Sequence, residues 1–159
     1  MPPKIPSTFV QTPIVKRQNI ALYNSSATKL DSKGSFNNNS SFEVLNTYML
    51  QYKSSLSITA KLLGLRENVD FSIAREEFFR RQGTPSGDRT ARESQILGSV
   101  NNKILEATIY RQMIIDTVTQ LARQDSVRIR TTVNQSVLDS IFKEELNVLI
   151  NNISKSTAR

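Results

Sequence analysis

From residue 40 onward, apolar side chains recur at helical spacing; before it they do not. The stretch SSFEVLNTYMLQYKSSLSITAKLLGL opens with Ser40-x-x-Glu43, the pattern of a capping box, in which side chains satisfy free amides at a helix start. Leu45, Tyr48, Met49, Tyr52 and Leu56 then fall on one helical face. Gly64 followed by Leu65 predicts a Schellman stop. A second, shorter helix is expected over DFSIAREEFFRRQG, capped by Asp70 and ended by Gly83. Thr90-x-x-Glu93 is another capping box and starts a third helix. Along it Leu97, Val100, Ile104, Ala107, Ile114, Val118 and Leu121 form a 3–4 seam, interrupted by Arg111 and broadened by Leu105, Ile109 and Met113. A helix over 91–124 would be about 50 Å long at ~1.5 Å per residue. That length implies partners along it.

Residues 125–135 read three ways. Val127, Ile129 and Thr131 alternate with Arg128 and Arg130, as in a short strand. Ala122, Ser126, Ile129, Val133 and Val137 also fit a helical stripe, and a loop remains open. The favoured reading places a break near Thr131–Asn134 and a new helix start at Ser136-x-x-Asp139. The last helix then offers an apolar face built from Val137, Leu138, Ile141, Phe142, Leu146, Leu149, Ile150 and Ile153. The fold class is all-α: an extended arm over residues 1–40, then a four-helix, bundle-like domain over 41–159.

The arm differs in kind. MPPKIPSTFVQTPIVKRQ carries four prolines, which remove amide donors and favour extended backbone. NSSATKLDSKGSFNNNSS is a run of small polar residues. Such a composition builds no core of its own. Its scattered anchors, among them Ile5, Phe9, Ile14, Val15, Ile20, Leu22 and Tyr23, suit docking on a partner surface. An arm of this kind points to work inside an assembly.

Charge sharpens the contrast. The 159-residue chain has a net charge of +7. Residues 1–40 hold five basic groups against one acidic, and the remaining 119 hold sixteen against thirteen. More than half of the surplus therefore sits in the first quarter. A basic surplus favours a polyanionic partner, although solubility alone also explains a charge of this size.

The chain has no Cys and no His, which removes thiol nucleophiles, Cys/His zinc sites and imidazole chemistry. Carboxylate, Ser–Lys or Mg²⁺ chemistry stays formally open. The adjacent pairs Glu76–Glu77 and Glu144–Glu145 point in different directions on a helix, so neither makes a dyad by itself. No catalytic residue, metal ligand set or cofactor is expected. No run of eighteen apolar residues predicts a membrane span, and the N-terminus does not read as a signal peptide.

The cations fall into two groups. The arm supplies Lys4, Lys16, Arg17, Lys29 and Lys33; the helical part supplies Arg80, Arg81, Arg89, Arg92, Arg111, Arg123, Arg128 and Arg130. Such groups contact phosphates, which position a protein on a nucleic acid without reading sequence. Four of them crowd the corner RRQGTPSGDRTARE. Turn chemistry accounts for Gly83, Pro85 and Gly87 there, but not for the arginines. No Gly-Lys-Ser/Thr follows, so the corner is no Walker-type loop. Arg111, set inside an apolar seam, either snorkels to its edge, the commoner outcome, or reaches a phosphate or a neighbouring subunit's carboxylate.

A basic Pro/Thr/Ser-bearing arm followed by a compact helical unit resembles, as a layout over the whole chain, the major capsid proteins of filamentous archaeal viruses. The resemblance implies a virion subunit, assembled in the host cytoplasm, that associates with copies of itself or a related coat subunit and contacts the backbone of double-stranded DNA. A tailed-phage neck, connector or capsid-lining protein shares the layout. A soluble, non-specific nucleic-acid-binding accessory protein is the alternative from another class.

Overall fold

A computed structural model describes residues 38–157. The arm over residues 1–37, with its expected extended course, lies outside the described residues. Five α-helices follow one another: α1 (Asn38–Leu63), α2 (Phe71–Gln82), α3 (Ala91–Gln124), α4 (Ser126–Asn134) and α5 (Ser140–Thr157). A single 3₁₀ turn, Ser86–Asp88, links α2 to α3. The all-α fold class holds, and there is no strand among the described residues.

The frame is the pair α1 and α3. Ser55 bonds Glu106 at 3.0 Å, Tyr52 meets Arg111 at 3.2 Å, and Asn39 meets Arg128 of α4 at 3.0 Å. Falling numbers on α1 meet rising numbers on α3 and its continuation, so the two helices run antiparallel. Both helices bring their predicted apolar faces to this seam. Leu45, Tyr48, Met49, Tyr52 and Leu56 are buried on α1, and Leu97, Val100, Ile104, Ala107, Ile114, Val118 and Leu121 on α3. Tyr48 and Tyr110 pack with ring centroids 6.3 Å apart. Helix α3 finds cover for its apolar face within the chain. Helix α1, with 26 residues, spans about 39 Å beside it at ~1.5 Å per residue, and α2, α4 and α5 complete the cover. Truncating a fully buried side chain such as Ile114 to alanine costs about 2–5 kcal/mol.

Helix ends follow local chemistry closely at two points. Gly64 takes φ +70, the left-handed conformation. The Leu65 amide bonds the Ala60 carbonyl at 2.8 Å and the Gly64 amide the Lys61 carbonyl at 3.2 Å, which completes the Schellman motif. Thr90 Oγ1 accepts from the Glu93 amide at 3.0 Å and starts α3. Asp70 sits at the N-cap of α2 with extended backbone, but its carboxylate makes no capping bond. Gly83 ends α2 with φ −72, an ordinary helical value, so its freedom is not used.

Two boundaries depart from the sequence reading. The chain is already helical at Asn38, which leaves Ser40 buried inside α1 and not at its cap. Residues 126–134 form helix α4, a fifth helix where the pattern predicts four. The break falls at Asp125, not at Thr131–Asn134. The Asp125 amide donates to the Leu121 carbonyl at 2.8 Å, and its Oδ1 accepts from the Arg128 amide at 3.0 Å. One aspartate thus ends α3 and caps α4. Ile129 and Val133 are buried one turn apart, which fixes the helical reading of the stripe. Ser136 does not start the last helix. Its hydroxyl donates to the Val133 carbonyl at 2.7 Å and accepts from the Leu138 amide at 3.3 Å, shaping the turn before α5.

Candidate functional site

The arginine corner is held by carboxylates of its own helices. Arg80 meets both oxygens of Glu77, at 3.0 and 2.6 Å, while its side chain stays 69% exposed. Arg81 Nε donates to Glu77 at 2.7 Å, and its Nη2 donates to the Leu63 carbonyl at 2.6 Å. A third nitrogen stands 4.0 Å from Glu93. Arg81 therefore joins the end of α1, the end of α2 and the start of α3. It closes one of the orphan carbonyls that every helix C-terminus leaves. Hydrogen bonds from Arg80, then Arg81, hold the Glu77 carboxyl down at about 2. Arg89 is half-buried, with its Nε buried and unpartnered, and Arg92 is exposed. Of the four, Arg80 and Arg92 face solvent most openly.

Arg111 resolves differently. Its guanidinium lies 4.0 Å from the centroid of Phe142. Nη2 donates to Glu145 at 2.5 Å and Nη1 to the Tyr52 hydroxyl at 3.2 Å. The carboxylate that Arg111 meets belongs to its own chain, not to the neighbouring subunit that the sequence suggested. Arg111 braces α3 against α1 and α5. Arg128 lies 4.0 Å from the centroid of the Phe42 ring and bonds Asn39. Arg130 bonds Asn151 at 2.7 Å, and Arg123 is exposed in the last turn of α3. The structure does not gather these eight arginines into one patch: the corner lies at one end of the α1–α3 pair, and Arg123, Arg128 and Arg130 at the other. Lys4, Lys16, Arg17, Lys29 and Lys33 lie outside the described residues.

A feature that the sequence pattern does not announce lies beside Arg111. A cleft of about 330 Å³ opens between α1, the approach to α2 and the approach to α5, lined among others by Tyr52, Lys53, Arg66, Asp70, Val137 and Asp139. The Tyr52 hydroxyl donates to Asp139 at 3.3 Å. Burial, followed by the charge of Asp139, raises the pKa of Tyr52, so it stays a donor. Asp139 is raised too, mainly by burial, with the Asp70 carboxylate adding a smaller push. Lys53 is held by Asn68 at 3.0 Å. The one signal in the sequence is Arg111 within the seam. A cation there requires acceptors on the facing helices, and Tyr52 and Glu145 supply them.

From this cleft an exposed stripe runs along α5. Val137, Ile141 and Val148 are 45%, 44% and 54% exposed, far above the buried Phe142, Leu146 and Ile150 on the inner face. Val137, expected in the last helix, falls before the start of α5, and Ile141 turns outward because α5 packs on α3 and α4 through its Phe142–Leu146–Ile150 side. Val137 lies in the turn before α5, and a spacing of seven residues keeps Ile141 and Val148 on one side of the helix. Glu144 and Glu145 stand between Ile141 and Val148, both exposed. Among the described residues no three His, Cys, Asp or Glu gather as a metal-ligand set, and no helix is long and apolar enough to cross a membrane.

No family model matches the chain, and neither a curated protein nor a solved structure matches it.

Proposed function

We propose that the protein is a structural subunit of a virion-type assembly, which associates with its own copies through its basic N-terminal arm and the outer face of the helical domain. Non-specific contact with the backbone of double-stranded DNA is the secondary role. The observation that carries this reading is the group of apolar side chains left in water at Val137, in the turn before α5, and at Ile141 and Val148 on it, one of several places, with Leu50 of α1 and Val127 of α4, where the domain leaves large apolar side chains exposed. The arm supports it from the other side. It carries more than half of the chain's net positive charge among separated apolar anchors and follows no core-building period.

Phosphate contact has two sources in this reading: the arm cations and the solvent-facing arginines, of which Arg80, Arg92 and Arg123 are the most open. Their separation over both ends of the α1–α3 pair suits a polyanion that passes along the domain, and carries no base readout.

The test is deletion of residues 1–35, followed by sedimentation velocity and circular dichroism. The expected result is unchanged helicity per molecule over residues 38–157, together with loss of large homomeric species that the full chain forms. Unfolding of the shortened chain would make the arm part of the domain. A full chain that stays a small species at high concentration would favour the soluble accessory protein.

A further inference from the structure

The α5 stripe differs from the rest of the chain in sign as well as polarity. In a protein of net charge +7, its exposed apolar residues stand among Asp139, Glu144 and Glu145, and the cleft at its head adds Asp70. Lys143 is drawn to the Asn134 carbonyl at 3.3 Å. Lys53 and Arg66 line the α1 side of the cleft, and Lys53 is already bonded to Asn68. Glu145 is engaged by Arg111, whereas Asp70 makes no capping bond at α2. The surface thus reads apolar, acidic, apolar along its length.

One segment of the chain reads apolar, basic, apolar. Residues 14–23 are Ile-Val-Lys-Arg-Gln-Asn-Ile-Ala-Leu-Tyr, in which Lys16 and Arg17 lie between Ile14–Val15 and Ile20–Leu22. The segment is also long enough. Ile141 to Val148 is seven residues of helix, about 10 Å at ~1.5 Å per residue. Val15 and Ile20, the apolar residues nearest the pair on each side, are five residues apart, up to about 16 Å of extended chain at ~3.3 Å each, which is enough to span that distance without full extension. Lys16 and Arg17 can therefore stand opposite Glu144 while apolar neighbours on each side reach Ile141 and Val148. The 330 Å³ cleft beyond Val137 is large enough to admit one long side chain.

We propose that residues 14–23 of one copy dock along the Val137–Ile141–Glu144–Val148 face of a second copy, with the Lys16–Arg17 pair opposite Glu144 and the cleft carboxylates. The proposal rests on the self-association reading above and names the contact that carries it. Between Arg17 and the start of α1 at Asn38 lie twenty residues, up to about 65 Å of extended chain at ~3.3 Å per residue, enough to cross to a neighbouring domain. Exposed ion pairs alone contribute little, so the apolar anchors supply most of the affinity and the charges set register and partner.

The experiment is a charge swap read by sedimentation velocity, with circular dichroism as the check on folding. An arm variant carries Lys16→Glu and Arg17→Glu; a face variant carries Asp70→Lys and Glu144→Lys. Each alone is expected to lose the large species of the full chain by at least tenfold in midpoint concentration. Mixed in equal amounts, they restore it, because each arm then meets a complementary face. A third variant, Val148→Asp, touches only an exposed position and is expected to weaken association without rescue by either partner. Arm and face variants that assemble like the unmodified chain would overturn the docking while leaving self-association intact. An unmodified chain with no large species at any concentration would overturn the self-association reading itself. Lost association with no rescue on mixing would overturn the pairing of these two segments.

Discussion

Replacing Arg111 by alanine removes a brace, and the structure allows its cost to be sized. The guanidinium lies 4.0 Å from the centroid of Phe142, a partly buried cation–π contact of about 1 kcal/mol. The hydrogen bond to the Tyr52 hydroxyl contributes about 1 kcal/mol. The pair with Glu145 counts for roughly 0.5 kcal/mol, because that carboxylate is 53% exposed and solvent screens it. The missing aliphatic stem adds packing. The sum is about 3 kcal/mol, or roughly 6–12 °C in Tm for a chain of this size. Urea unfolding followed by far-UV circular dichroism measures it. Glu145→Ala is expected to cost less than about 0.5 kcal/mol. Arg111→Lys keeps the charge but loses the planar stack and the fork, so it recovers less than half. A cost for Arg111→Ala below about 0.5 kcal/mol, with DNA affinity reduced instead, would rule out the brace and return Arg111 to the phosphate-contacting set.

Asp139 offers a pH test. Its folded pKa is raised, mainly by burial, so between its ordinary value and the folded value the native state holds more protons than the unfolded one. Stability therefore falls as pH rises through that window. Asp139→Asn, which still accepts from Tyr52, is expected to raise Tm at neutral pH and to lose that advantage below the window; a lower Tm at pH 7 would contradict the sign. Glu77 behaves oppositely. Held at about 2 by Arg80 and Arg81, it stabilises the fold above its unfolded value near 4.5 and stops doing so as pH falls through 2. Glu77→Gln is expected to cost about 0.5–1 kcal/mol at pH 7 and nothing below pH 2, read by thermal melts across that range. At the corner, Arg80→Ser with Arg92→Ser costs no more stability than Glu77→Gln and flattens the salt dependence of DNA binding by about 0.9 log units for each phosphate no longer neutralised. Arg81→Ser instead lowers Tm, because the Leu63 carbonyl is left without its donor.

What the sequence makes legible is the periodic part. The faces of α1 and α3 are readable because their apolar positions repeat over several turns, and packing then only has to bring the two stripes together. The Schellman end at Gly64 and the cap at Thr90 are readable because their chemistry is local. Helix α4 is not. Its nine residues, SVRIRTTVN, support alternation as well as helix, and burial of Ile129 and Val133 decides between them. Ser40 misleads for the opposite reason: a correct local motif yields to continued helix, which buries Ser40, Ser41 and Phe42. The corner arginines look free in the sequence because their partners are not all near in it. Glu77 is, but the Leu63 carbonyl, 18 positions before Arg81, is brought there by the fold. The cleft at Tyr52 and Asp139 joins residues 87 positions apart, and no local pattern announces it.

Whether copies of this chain join to build a larger structure is answered most directly by an electron micrograph of the purified full-length chain, concentrated with and without double-stranded DNA. Regular homomeric particles or filaments with repeating subunits are expected in both samples, better ordered with DNA. A uniform field of single small particles in both samples would mean that the chain does not self-assemble.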